Sequence, residues 1–255
     1  MRIVFAGKSD VGRRRQKNED SFLLSPELEL IVVADGMGGH LGGEMASRIC
    51  VETVEQVIQG LDQDPESTVE EGVEVKPGDF QSYLRYALSM ASSKIFHKSH
   101  EEPALKGMGT TAVAALFRKN MVYVANVGDS RVYRIRAGQI EQITEDHSLV
   151  SEQVKAGILT PEDAKTHRFK NIITRSVGFQ EVVQADVDIR SVQVGDRYLL
   201  CSDGLSNMLS DTDLCQTVVA NQDIEAACQQ LVDLANERGG DDNITVLIAE
   251  VQVLD

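Results

Sequence analysis

Long apolar runs are missing from this 255-residue sequence. No stretch approaches the ~20 consecutive apolar residues that a membrane-spanning helix needs. The N-terminal stretch also lacks the long apolar segment and small-residue cleavage site of a secretory signal. We therefore expect a cytoplasmic protein without a membrane partner. Hydrophobic residues still make up 42% of the chain, which is enough for a substantial core.

Closely paired cysteines are also missing. The four cysteines are Cys50, Cys201, Cys215 and Cys228, and no two of them form a C-x-x-C motif. This excludes a zinc knuckle and a thioredoxin-like redox motif. Because their neighbours are apolar or follow helical patterns, we expect reduced, buried thiols.

Basic residues are scarce, since 25 Lys and Arg stand against 40 Asp and Glu, for a formal net charge of -15. A chain this acidic repels nucleic acid and anionic lipid, so we expect no nucleic-acid partner. The one dense basic run is 13–15, and acidic residues follow it at once. A surplus of carboxylates also suits a protein that binds cations.

Strand patterns and helix patterns come in blocks along the chain. Apolar spacing predicts helices at 42–61, 80–100, 211–220 and 223–237. Residues 62–79 are acidic and aperiodic, which predicts a surface loop. Residues 148–170 are helical at first and then irregular.

Four β-rich stretches follow each other closely between residues 110 and 144, joined by "RKN" and "AG" hairpin signals. This spacing favours antiparallel meanders over parallel βαβ units, and so predicts an α+β fold. No repeat and no linker divides residues 1–255. We therefore expect a single domain and a monomer.

Aspartates stand at the ends of four strand patterns that lie far apart in the sequence, namely Asp35, Asp129, Asp203 and Asp242. Each one alone is better explained by a tight turn, since Asp-Gly is a common hairpin signal. Strand ends can converge on one edge of a packed sheet, however, and four carboxylates there would repel each other strongly. Divalent cations would relieve this repulsion, and oxygen ligands favour magnesium or manganese over zinc. Gly36 would let its backbone carbonyl approach such an ion.

The stretch "RRRQKNEDSF" places Arg15, Glu19 and Asp20 just before another strand pattern. Taken alone, it is best explained as a solvated charged loop. Beside acidic residues that hold metal, a cationic side chain would suit an anionic substrate, and the arginine fork matches a phosphate.

Several other phosphate chemistries are excluded. "GMGGHLGG" is not a P-loop, and Leu41 takes the place of the third glycine of a dinucleotide-binding motif. No cysteine has an arginine six residues later, as a cysteine-based phosphatase requires. "DTDLC" at 211–215 only approximates an aspartyl-phosphate motif, and no G-x-S-x-G is present. Metal-assisted hydrolysis remains.

Eight stretches match one family in order and cover nearly the whole chain: "RRRQKNEDS", "VVADGMGGHLGGEMAS", "GMGTTAVAAL", "VYVANVGDSRVYR", "ITEDHSLV", "NIITRSVG", "LLCSDGLSNML" and "GGDDNITVLIAEV". The chain resembles the metal-dependent serine/threonine protein phosphatases of the 2C type (PPM family), especially the compact bacterial members. The resemblance implies two antiparallel β-sheets packed as a sandwich, with α-helices on both outer faces. It also implies two manganese or magnesium ions at one end of the sandwich.

The resemblance also implies roles for individual residues. Asp35 would bridge both ions, the Gly36 carbonyl would bind one of them, and Asp203 and Asp242 would hold the other. Glu19 and Asp20 would act near the centre, largely through waters. Asp129, with Asp203, matches a third and weaker ion site of bacterial relatives, and Arg15 matches the arginine that binds phosphate.

Two positions depart from the family pattern. Met37 stands where many animal relatives carry a histidine, which leaves His40, His167 or a metal-bound water as the general acid. His40 in the glycine-rich turn is the favoured catalytic candidate, although a structural turn histidine explains it about equally well. His167 is a candidate for substrate binding, in a flap-like segment at about 148–172 where relatives often read His-Pro instead of His-Arg. An exposed loop residue explains His167 equally well.

The implied activity is hydrolysis of phosphoserine and phosphothreonine in protein substrates. A water or hydroxide that bridges the two ions would attack phosphorus in one step. Two alternatives remain open. An inactive relative would bind phosphoproteins or metal as a regulatory module, but the complete acidic set disfavours it. A calcium-binding structural protein is disfavoured because no D-x-D-x-D-G loop is present.

Overall fold

The computed structural model of the chain describes residues 1–38, 41–64, 68–69 and 75–254. Its strands are β1 (Arg2–Asp10), β2 (Asp20–Ser25), β3 (Leu30–Met37), β4 (Gly109–Thr110), β5 (Ala112–Arg118), β6 (Met121–Val127), β7 (Arg131–Arg136), β8 (Gln139–Gln142), β9 (Asp186–Ser191), β10 (Arg197–Cys201) and β11 (Ile244–Val253). The described helices are α1 (Gly42–Gln63), α2 (Phe80–Glu101), α3 (Leu149–Lys155), α4 (Pro161–Thr166), α5 (Asp203–Ser206), α6 (Asp211–Ala220) and α7 (Ile224–Glu237). A 3₁₀ turn covers Pro103–Leu105.

The strands form two antiparallel sheets. One has the order β1-β11-β10-β7-β8, and the other has the order β2-β3-β5-β6-β9 with β4 paired to β3. The hairpin signals are confirmed. Lys119 and Asn120 connect β5 to β6, and Ala137 and Gly138 connect β7 to β8, all with positive φ as primed two-residue turns require.

The sequence of β3 shows why the sheets are stacked in layers. Leu30, Val32 and Ala34 belong to a core shared with α1 and α2, whereas Ile31 and Val33 belong to the core between the two sheets. Successive side chains of a strand point to opposite faces, so a strand buried on both faces needs an unbroken apolar run.

The middle layer joins the two sheets through large apolar side chains such as Phe117, Tyr198 and Leu247. On the far side of the second sheet, a third core joins β1, β7, β10 and β11 to α5, α6 and α7. The three cores lie between successive layers and so define a helix–sheet–sheet–helix stack. Each large apolar side chain buried in them contributes about 1.5–3 kcal/mol to the stability of this stack. The predicted α+β sandwich is confirmed.

Helix limits follow recognisable caps. The side chain of Asp79 accepts a hydrogen bond from the Ser82 amide at the start of α2. Ser210 and Asp213 form a capping box at the start of α6. Thr160 and Asp163 form another at α4, a helix inside the part of 148–170 that the sequence pattern predicts to be irregular.

Several sequence predictions need correction. The pattern "ELELIVVA" at 27–34 predicts a strand, but Glu29 adopts a positive φ in a turn, and β3 runs from Leu30 to Met37. Asp35 therefore lies inside the strand and not at its mouth. The first of the four β-rich stretches, "TTAVAALF" at 110–117, predicts one strand, but the structure divides it at Thr111 into β4 and β5.

Two further predictions have mixed outcomes. The loop prediction for 62–79 falls partly outside the described residues, and α1 extends into it as far as Gln63. All four cysteines are free, but only three are buried. Cys215 is partly exposed and its thiol contacts the Gly138 carbonyl at 3.4 Å. No helix within the described ranges is long and apolar enough to cross a membrane.

Candidate active site

Strand pairing brings the predicted acidic residues to one end of the sandwich. In the first sheet, Asp20 at the start of β2 is paired with Asp35 near the end of β3. In the second sheet, Asp203 follows the end of β10 and Asp242 precedes the start of β11, two strands that are antiparallel neighbours. Antiparallel pairing therefore places the end of one strand beside the start of the next, in both sheets.

Asp20 connects the two sheets directly. Its Oδ2 accepts hydrogen bonds from the Ser202 hydroxyl at 2.8 Å and the Thr245 hydroxyl at 2.6 Å, both from the opposite sheet. Its Oδ1 is buried and has no hydrogen-bond partner within the described residues. A buried carboxylate oxygen without a partner is costly, so this atom faces a position that suits a cation or an ordered water.

The carboxyl groups of Asp35 and Asp203 are within hydrogen-bonding contact of each other. Asp203 also accepts a hydrogen bond from the Asn207 amide at 3.1 Å. Asp242 accepts one from Arg15 Nη2 at 2.6 Å, and this bond is the main cause that raises the pKa of the guanidinium. Residues from four distant parts of the chain thus form one cluster.

Asp129 lies in a turn that is tied to Asp35. The preceding Gly128 has a φ of +107°, where a side chain would be strained. The hydroxyl of Ser130 lies 2.7 Å from that of Thr111, and the Thr111 hydroxyl accepts a hydrogen bond from the Asp35 amide at 3.1 Å. These hydrogen bonds therefore fix the position of the Asp129 turn relative to the backbone of Asp35.

Burial and mutual repulsion raise the pKa values of four of these carboxyl groups. Burial is the main cause for Asp20 and Asp129, and it raises the pKa of each to about 7. The pKa of Asp35 lies well above its ordinary value because of burial and then of repulsion from Asp20, Asp203, Asp129 and Asp242. For Asp203 the causes are burial and then repulsion from Asp242. The cluster therefore has more negative charge than its own surroundings stabilise.

The donor set fits hard divalent cations, because every acidic side chain of the cluster offers oxygen alone. Within the described residues, no three His, Cys, Asp or Glu side chains already surround one point as metal ligands do. Internal contacts explain this, since Asp242 is paired with Arg15, Asp203 with Asn207, and Asp35 with Asp203. The repelling carboxyls and the unpartnered Asp20 Oδ1 are what bound cations would satisfy.

Two glycines allow the backbone to approach the cluster. A Cβ at Gly36 would lie 2.1 Å from the Gly43 carbonyl oxygen, and a Cβ at Gly43 would lie 2.9 Å from the Glu19 carboxyl carbon. The Gly36 amide donates to the Glu19 carbonyl at 3.2 Å. Only glycine permits β3, the loop before β2 and the start of α1 to meet so closely.

Comparison with known proteins identifies this arrangement. The family model of protein phosphatase 2C matches residues 7–244. The chain belongs to the protein phosphatase 2C family. It is 37% identical to the serine/threonine phosphatase stp of Listeria welshimeri over 246 residues, which is 95% of this chain and 94% of that protein. The prediction of a protein serine/threonine phosphatase is thereby confirmed.

Two solved structures extend the similarity to the fold. The Mycobacterium tuberculosis phosphatase PstP/Ppp superposes with a TM-score of 0.86 at 37% identity, covering 98% of this chain and 99% of that one. A structure of the PstP catalytic domain in complex with two manganese ions has a TM-score of 0.83 at 37% identity, with the same coverage. The predicted fold of this phosphatase is confirmed by these relatives.

The two histidines singled out from the sequence of this PP2C phosphatase have different outcomes. His40 lies outside the described residues. His167 directly follows the last residue of α4, and its side chain contacts its near neighbour Phe169. Its Nδ1 accepts a hydrogen bond from the Phe169 amide at 3.3 Å, and the two rings lie 5.7 Å apart. The structure therefore does not join His167 to the acidic cluster.

Sequence reasoning missed the polar residues that hold the phosphatase site together. The Asn243 side chain donates to the carbonyls of Val11 and Lys17 and accepts from the Glu19 amide, so it organises the loop that presents Arg15. Asn243 directly follows Asp242 in "GGDDNITV", and this adjacency was the available signal.

The "EDHS" stretch, residues 145–148, also supports the turn of Asp129. Asp146 accepts two-pronged hydrogen bonds from Arg131, from Nε at 3.0 Å and Nη2 at 2.7 Å. His147 contacts the turn of Asp129 from the other side, through Gly128. Neither contact could be read from the sequence, because the partners are 15 and 19 residues apart and lie in separate segments.

Proposed function

We propose that this PP2C phosphatase hydrolyses phosphoserine and phosphothreonine of protein substrates at the acidic cluster. The observation that carries the proposal is the contact between Asp35 and Asp203, because it joins the acidic ends of both sheets. We further propose that residues 1–255 act as one catalytic domain, with 148–172 as a flap beside the site.

The proposed ligands of two manganese or magnesium ions are Glu19, Asp20, Asp35, Asp203, Asp242 and the Gly36 carbonyl. The relative solved with two manganese ions supports this number of ions. Asp129, together with Asp203, is proposed to hold a third and weaker ion. Bound ions of this kind supply an acidified water as nucleophile and offset the charge of a phosphate.

The residues of the chain would position the phosphate. Arg15 donates to Asp242 from Nη2, and about half of its side chain is exposed, so other N–H groups of the guanidinium remain for a ligand at the edge of the cluster. A guanidinium there can donate two parallel hydrogen bonds to phosphate oxygens. It would thereby orient the ester, and it would stabilise the negative charge that increases on those oxygens during hydrolysis.

Hydrolysis also requires a group that donates a proton to the leaving alkoxide. The buried carboxyls of Asp20 and Asp129 have pKa values of about 7, so each can exchange a proton near neutral pH when cations are absent. Cations would lower these pKa values and convert the carboxyls into ligands. His40 remains the proposed proton donor to the leaving alkoxide.

The test compares neighbouring aspartates. Asp242→Asn should abolish manganese-dependent release of phosphate from a phosphothreonine peptide. Asp241→Asn is the matched control, because Asp241 is largely exposed and its recorded ion pair is a distant one, 3.8 Å from Arg14. Wild-type protein should lose activity in a chelator and regain it with manganese. Wild-type protein that binds the phosphopeptide without releasing phosphate would instead be an inactive binding module.

A further inference from the structure

His147 is buried at the junction between the turn of Asp129 and the flap segment, and only 8% of the residue is exposed. Its Nδ1 accepts a hydrogen bond from the Gly128 amide at 3.0 Å, and its own amide donates to the Gly128 carbonyl at 2.8 Å. Two hydrogen bonds thus hold both polar groups of the residue that directly precedes Asp129.

The same histidine stands at the base of the flap segment. Its carbonyl accepts a hydrogen bond from the Thr174 amide at 2.9 Å. Ser148 pairs with Ile173 in an antiparallel bridge, and the Leu149 amide donates to the Ile172 carbonyl at 2.9 Å. Both ends of the segment therefore meet at His147.

The contacts of the ring determine its tautomer. Because Nδ1 accepts from a backbone N–H, the ring proton of neutral His147 must be on Nε2. That nitrogen lies 2.9 Å from Asp186 Oδ2 and so donates to it. Arg175 Nη1 lies 3.2 Å from the same nitrogen but cannot donate to a protonated Nε2, and it donates to Asp186 Oδ1 at 3.0 Å.

We propose that His147 is a positioning residue that couples the flap segment to the turn of Asp129. Its Nδ1 holds Gly128, while its Nε2 and its backbone hold Asp186 and the ends of the segment. Asp146 adds a second contact, because it accepts hydrogen bonds from Arg131. The consecutive residues Asp146 and His147 therefore bind the turn on both sides of Asp129, at Arg131 and at Gly128. A displacement of the segment would therefore move Asp129. The importance of this coupling for catalysis rests on the proposed function.

Two substitutions at His147 test the hydrogen bonds of the two ring nitrogens separately. In His147→Asn the amide oxygen can replace Nδ1 as acceptor for Gly128, but the donor to Asp186 is lost. In His147→Gln the amide nitrogen can replace Nε2 as donor to Asp186, but the acceptor for Gly128 is lost. His97→Gln is the matched control, because His97 makes a similar 3.1 Å contact with Glu181 on the exposed surface.

Amide hydrogen exchange, measured by NMR on metal-free protein, tests the coupling. His147→Gln should speed exchange at Gly128 by about tenfold, and exchange at Leu149 and Thr174 should rise with it. His147→Asn should keep the Gly128 amide within about twofold of wild type, and so should His97→Gln. Faster exchange at Gly128 with no change at Leu149 and Thr174 would overturn the coupling.

The ring itself gives a second measurement that needs no variant. The ¹⁵N spectrum of His147 in the wild-type protein should show a protonated Nε2 and an unprotonated Nδ1, and a protonated Nδ1 would refute the assignment. Neither measurement depends on turnover. A wild-type protein that shows these signatures but releases no phosphate with manganese would refute the proposed function and leave the coupling intact.

Discussion

Asp20 and Asp35 lie directly opposite each other on β2 and β3, so two acidic side chains are cross-strand neighbours in a mostly buried position. Like charges in this relationship destabilise a sheet. The neighbouring hydroxyl groups of Ser202 and Thr245 satisfy only one oxygen of Asp20. The metal-free fold therefore retains an unfavourable arrangement that cation binding would convert into a favourable one.

The first prediction is that Asp35→Asn stabilises the metal-free protein while abolishing activity. The amide has nearly the same shape, but it has no charge to bury and none to repel Asp20. We expect the free energy of unfolding at pH 8 to rise by about 1–3 kcal/mol, with a smaller rise at pH 5. Urea unfolding in a chelator measures this. Asp211→Asn, at an exposed position in the first turn of α6, is the control. A less stable Asp35→Asn protein would contradict the account.

The second prediction concerns pH. The pKa values of Asp20 and Asp129 are raised to about 7 in the folded protein, so the unfolded chain loses these protons first as pH rises. Between about pH 4 and 7 the folded state binds more protons, and its stability falls by up to about 1.4 kcal/mol per pH unit for each such group. Metal-free protein should therefore be more stable at pH 5 than at pH 7.5. Unfolding curves with and without manganese test this, since manganese should oppose the loss.

The third prediction is that two adjacent arginines, Arg14 and Arg15, contribute differently to substrate binding. Arg15→Ala should raise KM for a phosphothreonine peptide by about tenfold or more, because it removes charged hydrogen bonds to the phosphate. Arg14→Ala should change KM by less than about twofold, since Arg14 is largely exposed and 3.8 Å from Asp241. Steady-state kinetics at saturating manganese measure both. A fall in kcat with an unchanged KM for Arg15→Ala would contradict binding of the ground-state phosphate and leave the arginine a role in the transition state alone.

The fourth prediction concerns the close backbone approach at Gly36. Gly36→Ala would place a methyl group 2.1 Å from the Gly43 carbonyl oxygen, so β3 and α1 must separate. We expect a loss of more than about 3 kcal/mol in stability, together with loss of activity. Gly138→Ala is the control, because among the described residues, its two chain neighbours aside, no atom lies within 4 Å of the added Cβ. Its positive φ should cost only about 1–2 kcal/mol and leave kcat unchanged.

Much of the fold could be predicted because periodic patterns are local. The apolar run of β3, the caps of α2 and α6 and the two hairpin turns each depend on a few adjacent residues. The convergence of Asp35, Asp203 and Asp242 could be predicted as well, since strand ends in a packed sandwich share an edge. The length of β3 could not, because pairing with Asp20 and Thr110 extends the strand through Gly36.

The polar scaffold of the site could not be predicted from the sequence. Asn243 holds the loop of Arg15 across more than 200 residues, and Ser202 bonds to Asp20 across 182. Neither residue type in isolation indicates such a partner, since serine and asparagine are common near turns for local reasons. His147 illustrates the same limit, because its importance follows from Gly128, Arg175 and Asp186, which come from separate segments and meet around one ring.

The acidic residues come from both sheets, so the distance between Asp35 and Asp203 depends on the side chains packed in the middle layer. Phe117, Tyr198 and Leu247 act there as spacers between two rigid β-surfaces. A change of volume in this interior would alter the width of the catalytic centre from a distance. Leu247→Ala would therefore be expected to impair hydrolysis without removing a single ligand, which makes the hydrophobic interior a determinant of the chemistry as well as of the fold.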